Sequence, residues 1–556
     1  MNGLSRFTLV AMGMAALTAC SGNKSGSTTT GKTTATAGTT AGNGTTTAGT
    51  TAGNGAGNGS ANGSGTGTTS TNSSGGNTGT SGLTTSGTSC VNLQCQVQSC
   101  SGGGHTQIKG TIMDPAGKDP LYNVVAYIPN STVQPLTAGA SCDSCNSLFS
   151  GQPMAAALSD DKGQFTINDA PVGNNIPLVI QVGKWRTHVT IPNVPACAVT
   201  DVGAVSLPSK MDANDPIINL PDIAISTGSA DSLECLLVRV GIDPSEYVAG
   251  NSSAGRVHIF SGGHTPNGGG GGSTPGKPEL NVMNGAPESS TALWNSPSNL
   301  MSYDIVLLSC EGGETYDAVP ANLEAYLNAG GRVFASHFHY AWFSGPIDTN
   351  QSYNAPGDWG DNLATWTGGA NGASSANGKI VSTLFNGQPF FKGQALASWL
   401  GNVNALGTSG APAADLYIKA PRENASVQAT NTPSQQWITD TNSTLYFSFD
   451  TPVVLDGGAP PGGQFCGRAV FSGLHVGAAS FDGVNCSTGT NGSGQGCNTG
   501  HVAAAPPPAG CDTAHDLSPQ EKALEFMLFD LSSCVVPDNV NPITDGGIGD
   551  GGIIFN

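Results

Sequence analysis

Four histidines stand at or just past the ends of short apolar runs: His264 after "RVHIFSGG", His337 and His339 after "RVFAS", and His475 after "RAVFSGL". Imidazoles gathered at one edge of a sheet could hold a divalent transition metal, or pass protons to and from a hydroxyl. In that chemistry His337 and His475 are the candidate acid and base, with His264 and His339 binding beside them. His337 and His339, separated by one residue, are the candidate metal ligands. Each also has a plain structural use, as a hydrogen bond closing a strand end. Cys310 ends "YDIVLLSC" beside Glu311 and Glu314, whose carboxylates would hold its thiol protonated, so a buried or disulfide-bonded cysteine is expected there rather than a nucleophile. Cys142-Asp-Ser-Cys145 lacks both the βαβ context of a redox pair and the second pair of a zinc site, and reads as structural disulfide. Gly271 to Lys277 approximates a phosphate loop, but Pro278 stands where a Mg²⁺-binding hydroxyl belongs and no helix pattern follows. Tryptophans 342, 359, 366, 399 and 437 could stack on sugar rings; at this density they read as core.

These residues need a frame. "YDIVLLS" is apolar nearly throughout, as a parallel strand covered on both faces must be. "PANLEAYLNAGG" reads as a helix with Leu323, Tyr326 and Leu327 on one face, a proline at its start and Gly330 as its stop, and "RVFASH" follows as a strand. Strand, helix, strand in this order implies a doubly wound α/β sheet, whose ligands sit at the C-terminal strand ends. "GRVHIFSGG" would be its first strand, led in by a loop from Asp212 to Ser229 and an amphipathic helix, "SLECLLVRVGI". "TLYFSFDTPVVL" and "CGRAVFSGLHV" are further strands, 341–444 is an elaboration, and 480–516 is a Gly-, Cys- and Pro-rich insertion. "SPQEKALEFMLFDLSSC" is a helix with a capping box, Ser518 at the N-cap, Pro519 next and Glu521 at N3, and it brings Cys534 within reach of a disulfide. Ahead of all this, from Cys90 to Ser209, "QIKGTIM", "NVVAYIP", "GQFTIN", "PLVIQVG", "THVTIP" and "GAVSLP" alternate with turn signals and predict a β-sandwich.

Taken together, "GRVHIFSGGH", "YDIVLLSCEGGE", "ANLEAYLNAGGRVFASHFHYAWF" and "GRAVFSGLHVG" resemble the trehalose-utilisation (ThuA-like) branch of the class I glutamine amidotransferase-like fold, over about Arg256 to Val535. The resemblance implies a flavodoxin-like sheet with large insertions, and a histidine, here His337, where amidotransferases carry the nucleophilic cysteine. Glutamine hydrolysis needs a thiolate at that turn to form a thioester, so the resemblance implies no glutaminase activity. "GTIMDPAGKDPLYNVVAYIP" and "LSDDKGQFTINDAPVGNNIPLVIQVG" resemble the carboxypeptidase regulatory-like, transthyretin-like module over Gln107 to Leu207, which implies an accessory sandwich without chemistry of its own.

Composition sets the address. "MNGLSRFTLVAMGMAALTAC" has one Arg, an apolar run from Phe7 to Leu17 and small residues ending at Cys20, as in a secretory leader. Its "LTAC" resembles the bacterial lipobox, which implies cleavage before Cys20 and acyl chains on it that tie the chain to a membrane. Ser21 rather than Asp then directs it to the outer membrane of a Gram-negative cell. Residues 21–89, almost all Gly, Ser, Thr, Asn and Ala, predict a disordered tether. The 14 cysteines fit an oxidising compartment with disulfides. With 19 Lys and Arg against 38 Asp and Glu, a net charge of −19, the chain has no basic patch to neutralise phosphates, so nucleic acid is not an expected partner.

The chain therefore reads as multidomain: leader 1–20, tether 21–89, sandwich 90–209, connector 210–250, α/β domain 251–536 and flexible tail 537–556. The leading expectation is a lipid-anchored envelope protein that binds a carbohydrate or another envelope protein. A carbohydrate-active enzyme built on the histidines, with or without a transition metal, is the rival, and a purely structural surface protein the third.

Overall fold

The computed structural model describes residues 90–143, 145, 148–228, 231–262, 285–349, 351–456, 458–475, 511 and 516–541, and the backbone of two further strands. The leader with Cys20, the tether, His264 and the Gly271 to Lys277 run lie outside the described residues.

Alternating apolar residues build the first part. β1 (Gln107–Met113), β2 (Val125–Pro129), β3 (Pro153–Leu158), β4 (Gln164–Ile167), β5 (Gly173–Val182), β6 (Trp185–Val194) and β7 (Val199–Ser206) form two sheets, β4-β1-β7 and β3-β2-β5-β6. Ile108, Ile112, Phe165 and Ile167 from one sheet meet Ala126, Ile128, Ile176, Leu178 and Ile180 from the other in a common core. Each of the six expected strands is present. β3 is additional: its "PMAAAL" gives little β signal because alanine has neither a branched nor an aromatic side chain to favour a pleated surface.

The second part continues with β8 (Ile223–Ser226), α1 (Leu233–Val240), β9 (Tyr247–Ala249), β10 (Val257–Phe260), α2 (Ser289–Ala292), α3 (Pro297–Leu300), β11 (Ile305–Leu308), α4 (Pro320–Asn328), β12 (Arg332–Ser336) and α5 (Tyr340–Ser344). After it come β13 (Thr365–Trp366), β14 (Ser375–Ile380), α6 (Phe391–Asn402), β15 (Asp415–Lys419), β16 (Ala425–Ser426), β17 (Ser434–Thr439), β18 (Thr444–Thr451), β19 (Gly467–Ser472), α7 (Pro519–Ser532), β20 (Thr544–Gly549) and β21 (Gly552–Phe555). Ten of these strands make one sheet, in the order β15-β14-β17-β18-β19-β12-β11-β8-β10-β9. From β19 to β9 neighbours run parallel; β18, β17, β14 and β15 extend the sheet antiparallel.

Period-two alternation puts Ile223, Ile225, Ile305, Leu307, Phe334 and Val470 on the face covered by α1, α6 and α7. Ala224, Val306, Leu308, Val333, Ala335 and Phe471 pack on the other face, against α4 and α5. Helices thus lie on both faces of the parallel strands, as buried parallel sheets require. One expectation is corrected: Asp212 to Ser229 is not simply a loop, because "IAIS" within it is β8, fully buried between β10 and β11. Its three apolar residues include an alanine and follow Pro221 and Asp222, so the run gives little strand signal.

The two parts share a core. Residues Gln520 to Ser532 of α7 are all buried, the condition of a helix enclosed on every side. Phe526 stacks on Tyr122 of the sandwich at 5.6 Å and lies 5.5 Å from Trp399 of α6, while Phe529 lies 5.6 Å from Trp185 of β6. The expected capping box starts this helix, with Ser518 and Glu521 in their assigned positions. Gly330, at φ 110°, ends α4, and a Cβ there would strike the Ser141 carbonyl. Cys142 and Cys145 are disulfide-bonded but not to each other; they pair with Cys466 and Cys534, tying the sandwich to β19 and to the end of α7. Cys90–Cys95, Cys100–Cys197 and Cys235–Cys511 are the other bonds among the described residues, where Cys310 alone is a free thiol. No described helix is long and apolar enough to cross a membrane.

Candidate functional site

Four adjacent parallel strands, β8, β11, β12 and β19, end in register, Leu308 opposite Ser226 and Ala335, and Ser336 opposite Ser472. The residues just beyond these ends therefore meet: Asp231 after β8, Cys310 after β11, His337 after β12 and His475 after β19. All four are buried, with at most 4% of each exposed.

His337 occupies the sharp turn from β12 into the 3-10 turn His337–His339 and α5, with φ at 45°, a left-handed conformation unusual for a side-chain-bearing residue. Its Nδ1 lies 3.2 Å from Cys310 Sγ. Its Nε2 is buried with no hydrogen bond of normal geometry, although the nearby Gly369 carbonyl acts on the ring. Burial holds this imidazole well below the usual histidine range, helped by the positive charge of the Arg422 guanidinium nearby.

His475 is oriented from both sides. Its Nδ1 is 2.7 Å from Asp231 Oδ1, and Arg422 Nε lies 3.0 Å from its Nε2. Arginine can only donate, so Nε2 is the acceptor, and Nδ1 carries the proton given to Asp231. His475 is therefore a neutral imidazole in one tautomer. Asp231 Oδ2 also accepts the hydroxyl of Ser336, whose Oγ accepts the Cys310 backbone N–H at 2.9 Å.

Cys310 is fully buried, and desolvation, with Asp231 adding repulsion, drives its thiol far above the ordinary cysteine value. The backbone N–H groups of Phe338 and Gly312 face its sulfur. Amides after a turn residue and after the neighbouring strand are what an acyl-transfer enzyme would aim at an oxyanion. Here they are turned to a protonated thiol.

His339 departs from expectation. Its Nε2 donates to the Ser309 carbonyl at 2.8 Å and its Nδ1 accepts from Thr315 Oγ1 at 2.9 Å, while Thr315 Oγ1 accepts Trp342 Nε1–H at 3.0 Å. Both ring nitrogens are engaged, so His339 acts as a structural brace with no nitrogen open to a metal beside His337. The expectation of two histidines on one face assumed an extended chain, and the turn at His337 ends that alternation. Glu314 is likewise a brace: it accepts backbone N–H groups from Ile347, Asp348 and Thr349 and the hydroxyls of Tyr340 and Thr349.

The cluster that could hold a metal is instead Cys310, His337 and His475, whose ligand atoms lie within 4.8 Å of one another. Sequence reasoning included the two histidines, read Cys310 as a buried or disulfide-bonded cysteine outside the site, and passed over Asp231 and Arg422. Asp231 went unnoticed because the strand that delivers it did; Arg422, beside Glu423 in the polar stretch "APREN", carries no local signal. Trp342, Trp359, Trp399 and Trp437 are core residues at no more than 1% exposure, which leaves them no face for a sugar ring.

No protein-family model and no curated protein matches the chain. Solved structures similar to parts of it include a type II cohesin–X-dockerin complex from Acetivibrio cellulolyticus, a C-terminal interface mutant, at 14% identity over 27% of this chain and 78% of that one, with a TM-score of 0.13. The major pilin subunit BcpA of Bacillus cereus is similar at 12% identity over 19% of this chain and 30% of that one, also with a TM-score of 0.13. Likenesses this slight leave the architecture and the site geometry to speak for themselves.

Proposed function

We propose that the chain is a lipid-anchored cell-envelope protein, held to the membrane through Cys20, which binds another envelope component through a ThuA-like α/β unit and does not hydrolyse glutamine. In this reading the parallel strands β10-β8-β11-β12-β19 are a flavodoxin-like, doubly wound core, and β1 to β7 are its carboxypeptidase regulatory-like accessory. Strand order and helices on both faces support the first assignment. One observation carries the functional conclusion: the tight turn after β12 presents the buried imidazole of His337, and the neighbouring thiol of Cys310 is fully desolvated. A thioester pathway needs a thiolate at that turn with open access to substrate. The burial of Trp342, Trp359, Trp399 and Trp437, with only Trp366 half-buried among the five, favours a protein partner over a glycan.

The test is ammonia release from glutamine by the detergent-solubilised full chain, alongside cross-linking in intact cells. The expected result is background hydrolysis and a single saturable cross-linked envelope partner. Hydrolysis above background that disappears in Cys310→Ser would overturn the non-catalytic reading.

A second reading, a carbohydrate-active enzyme with a divalent transition metal or an acid-base pair at the strand edge, is favoured by the Asp231–His475 pairing. A carboxylate that fixes one tautomer of a neutral imidazole is how a general base is oriented. Arg422 would have to leave His475 Nε2 for that base to act.

A further inference from the structure

We propose that Cys310, His337 and His475 form a three-ligand site for one divalent ion of the cobalt, zinc and copper class, with Asp231 as its orienting carboxylate and Arg422 as the group the ion displaces. This goes beyond the binding role above, since it assigns a small-ion ligand to the strand edge whatever larger partner the protein has.

The donor set is right for such an ion. One thiolate and two imidazoles are the mixture that borderline-soft first-row metals prefer over the hard, all-oxygen set of Mg²⁺ or Ca²⁺. The spacing is also right. Metal–sulfur and metal–nitrogen bonds of about 2.3 and 2.0 Å at a tetrahedral angle put sulfur and nitrogen about 3.5 Å apart. Cys310 Sγ and His337 Nδ1 stand at 3.2 Å, and the rings of His337 and His475 meet edge to face with centroids 5.0 Å apart.

The outer partners match as well. His475 gives its Nδ1 proton to Asp231, the carboxylate–histidine arrangement that fixes the other ring nitrogen as a ligand. Asp231 and Cys310 are joined again through Ser336, so one side chain positions two of the three ligands. His337 Nε2 is buried and faces the Gly369 carbonyl, which leaves Nδ1 as the ring nitrogen turned to Cys310. Backbone strain at His337 points the same way: a left-handed turn is retained where it aims a side chain.

Arg422 would compete with an ion at this cluster. Its Nε donates to the lone pair of His475 that an ion would take, so guanidinium and metal compete for one atom. Ion binding releases two hydrogen bonds, Arg422 to His475 and Cys310 to His337, sends the Cys310 thiol proton to solvent, and forms three metal–ligand bonds. No electron is transferred.

The experiment is an anaerobic titration of the full chain with Co²⁺, followed by absorption spectroscopy and by metal analysis after gel filtration. The expected outcome is one Co²⁺ per chain with a near-ultraviolet thiolate-to-cobalt charge-transfer band. Cys310→Ser should abolish the band and weaken binding at least tenfold, and Arg422→Met should tighten binding about tenfold by removing the competitor. Co²⁺ bound without a thiolate band would overturn the ligand set. No binding by either the wild type or Arg422→Met would overturn the site, and neither result would touch the glutamine and cross-linking tests above. Should Cys310→Ser fail to fold, the wild-type band and the Arg422→Met affinity decide the matter.

Discussion

His337 and His339 are two positions apart and belong to different chemistries. His339 satisfies both ring nitrogens with Ser309 and Thr315 in a site 1% exposed, and burial pushes its pKa down to about 4. Removing the ring strands a buried carbonyl and a hydroxyl and opens a cavity, so His339→Ala should lose about 2–4 kcal/mol of stability. Cobalt binding should be unchanged at saturating metal. Denaturant titration and the cobalt spectrum of the same variant check both halves; a stable variant with no thiolate band would mean that His339 serves the ion after all. The sequence motif His-x-His could not separate these roles. Alternation makes residues i and i+2 neighbours only while the chain stays extended, and the positive φ of His337 is invisible in residue types.

At the scale of elements, legibility followed signal strength. The capping box of α7 and the unbroken run of large apolar residues in β11 announced themselves, since each combines several independent cues. β8 did not, and with it went Asp231 and the centre of the sheet. The joint between sandwich and sheet was equally hidden, because its groups are far apart in sequence. Lys184, on the turn between β5 and β6, lies 2.7 Å from Asp304, which also accepts the Asp222 backbone N–H at 2.7 Å. Burial, only partly offset by Lys184, raises the Asp304 carboxyl from its ordinary 3.8 to about 6. The folded chain thus binds this proton more tightly than the unfolded chain, and acidification favours the fold from about pH 6 down to 3.8, below which the gain is complete. Asparagine does not titrate. Going from about pH 7 to pH 4.5, the wild type should therefore gain about 2 kcal/mol relative to Asp304→Asn, read from guanidinium unfolding of both proteins at each pH. A stability difference that stays constant, or shrinks with acid, would mean that Lys184 and not burial governs this carboxyl.

For the molecule as a whole, the question is whether sandwich and sheet are two folding units or one. Two surfaces in light contact would unfold independently, as interfaces between domains of a chain usually permit. α7 argues otherwise. The helix buries charged side chains as well as apolar ones, and their partners come from both parts: Lys522 with Asp119 at 3.2 Å on the sandwich side, Asp530 with Lys392 at 2.7 Å and with Arg468 at 3.1 Å on the sheet side. Exposing either side would leave buried charges without partners, which is more expensive than losing apolar contact alone. Two disulfides add a covalent constraint, joining cysteines 324 and 389 residues apart across the same junction. Phe529, packed against Trp185 of β6 and part of the core that includes β8 and β11, is the residue to perturb. Phe529→Ala should cost about 3–5 kcal/mol, and in one cooperative unit that loss must appear in both sheets. Hydrogen exchange of peptides from β1 and β12 measures it directly: equal drops in protection in the two strands establish a single unit. A drop confined to β12 would make the sandwich an independent accessory, and would place the ion site in a domain that opens on its own.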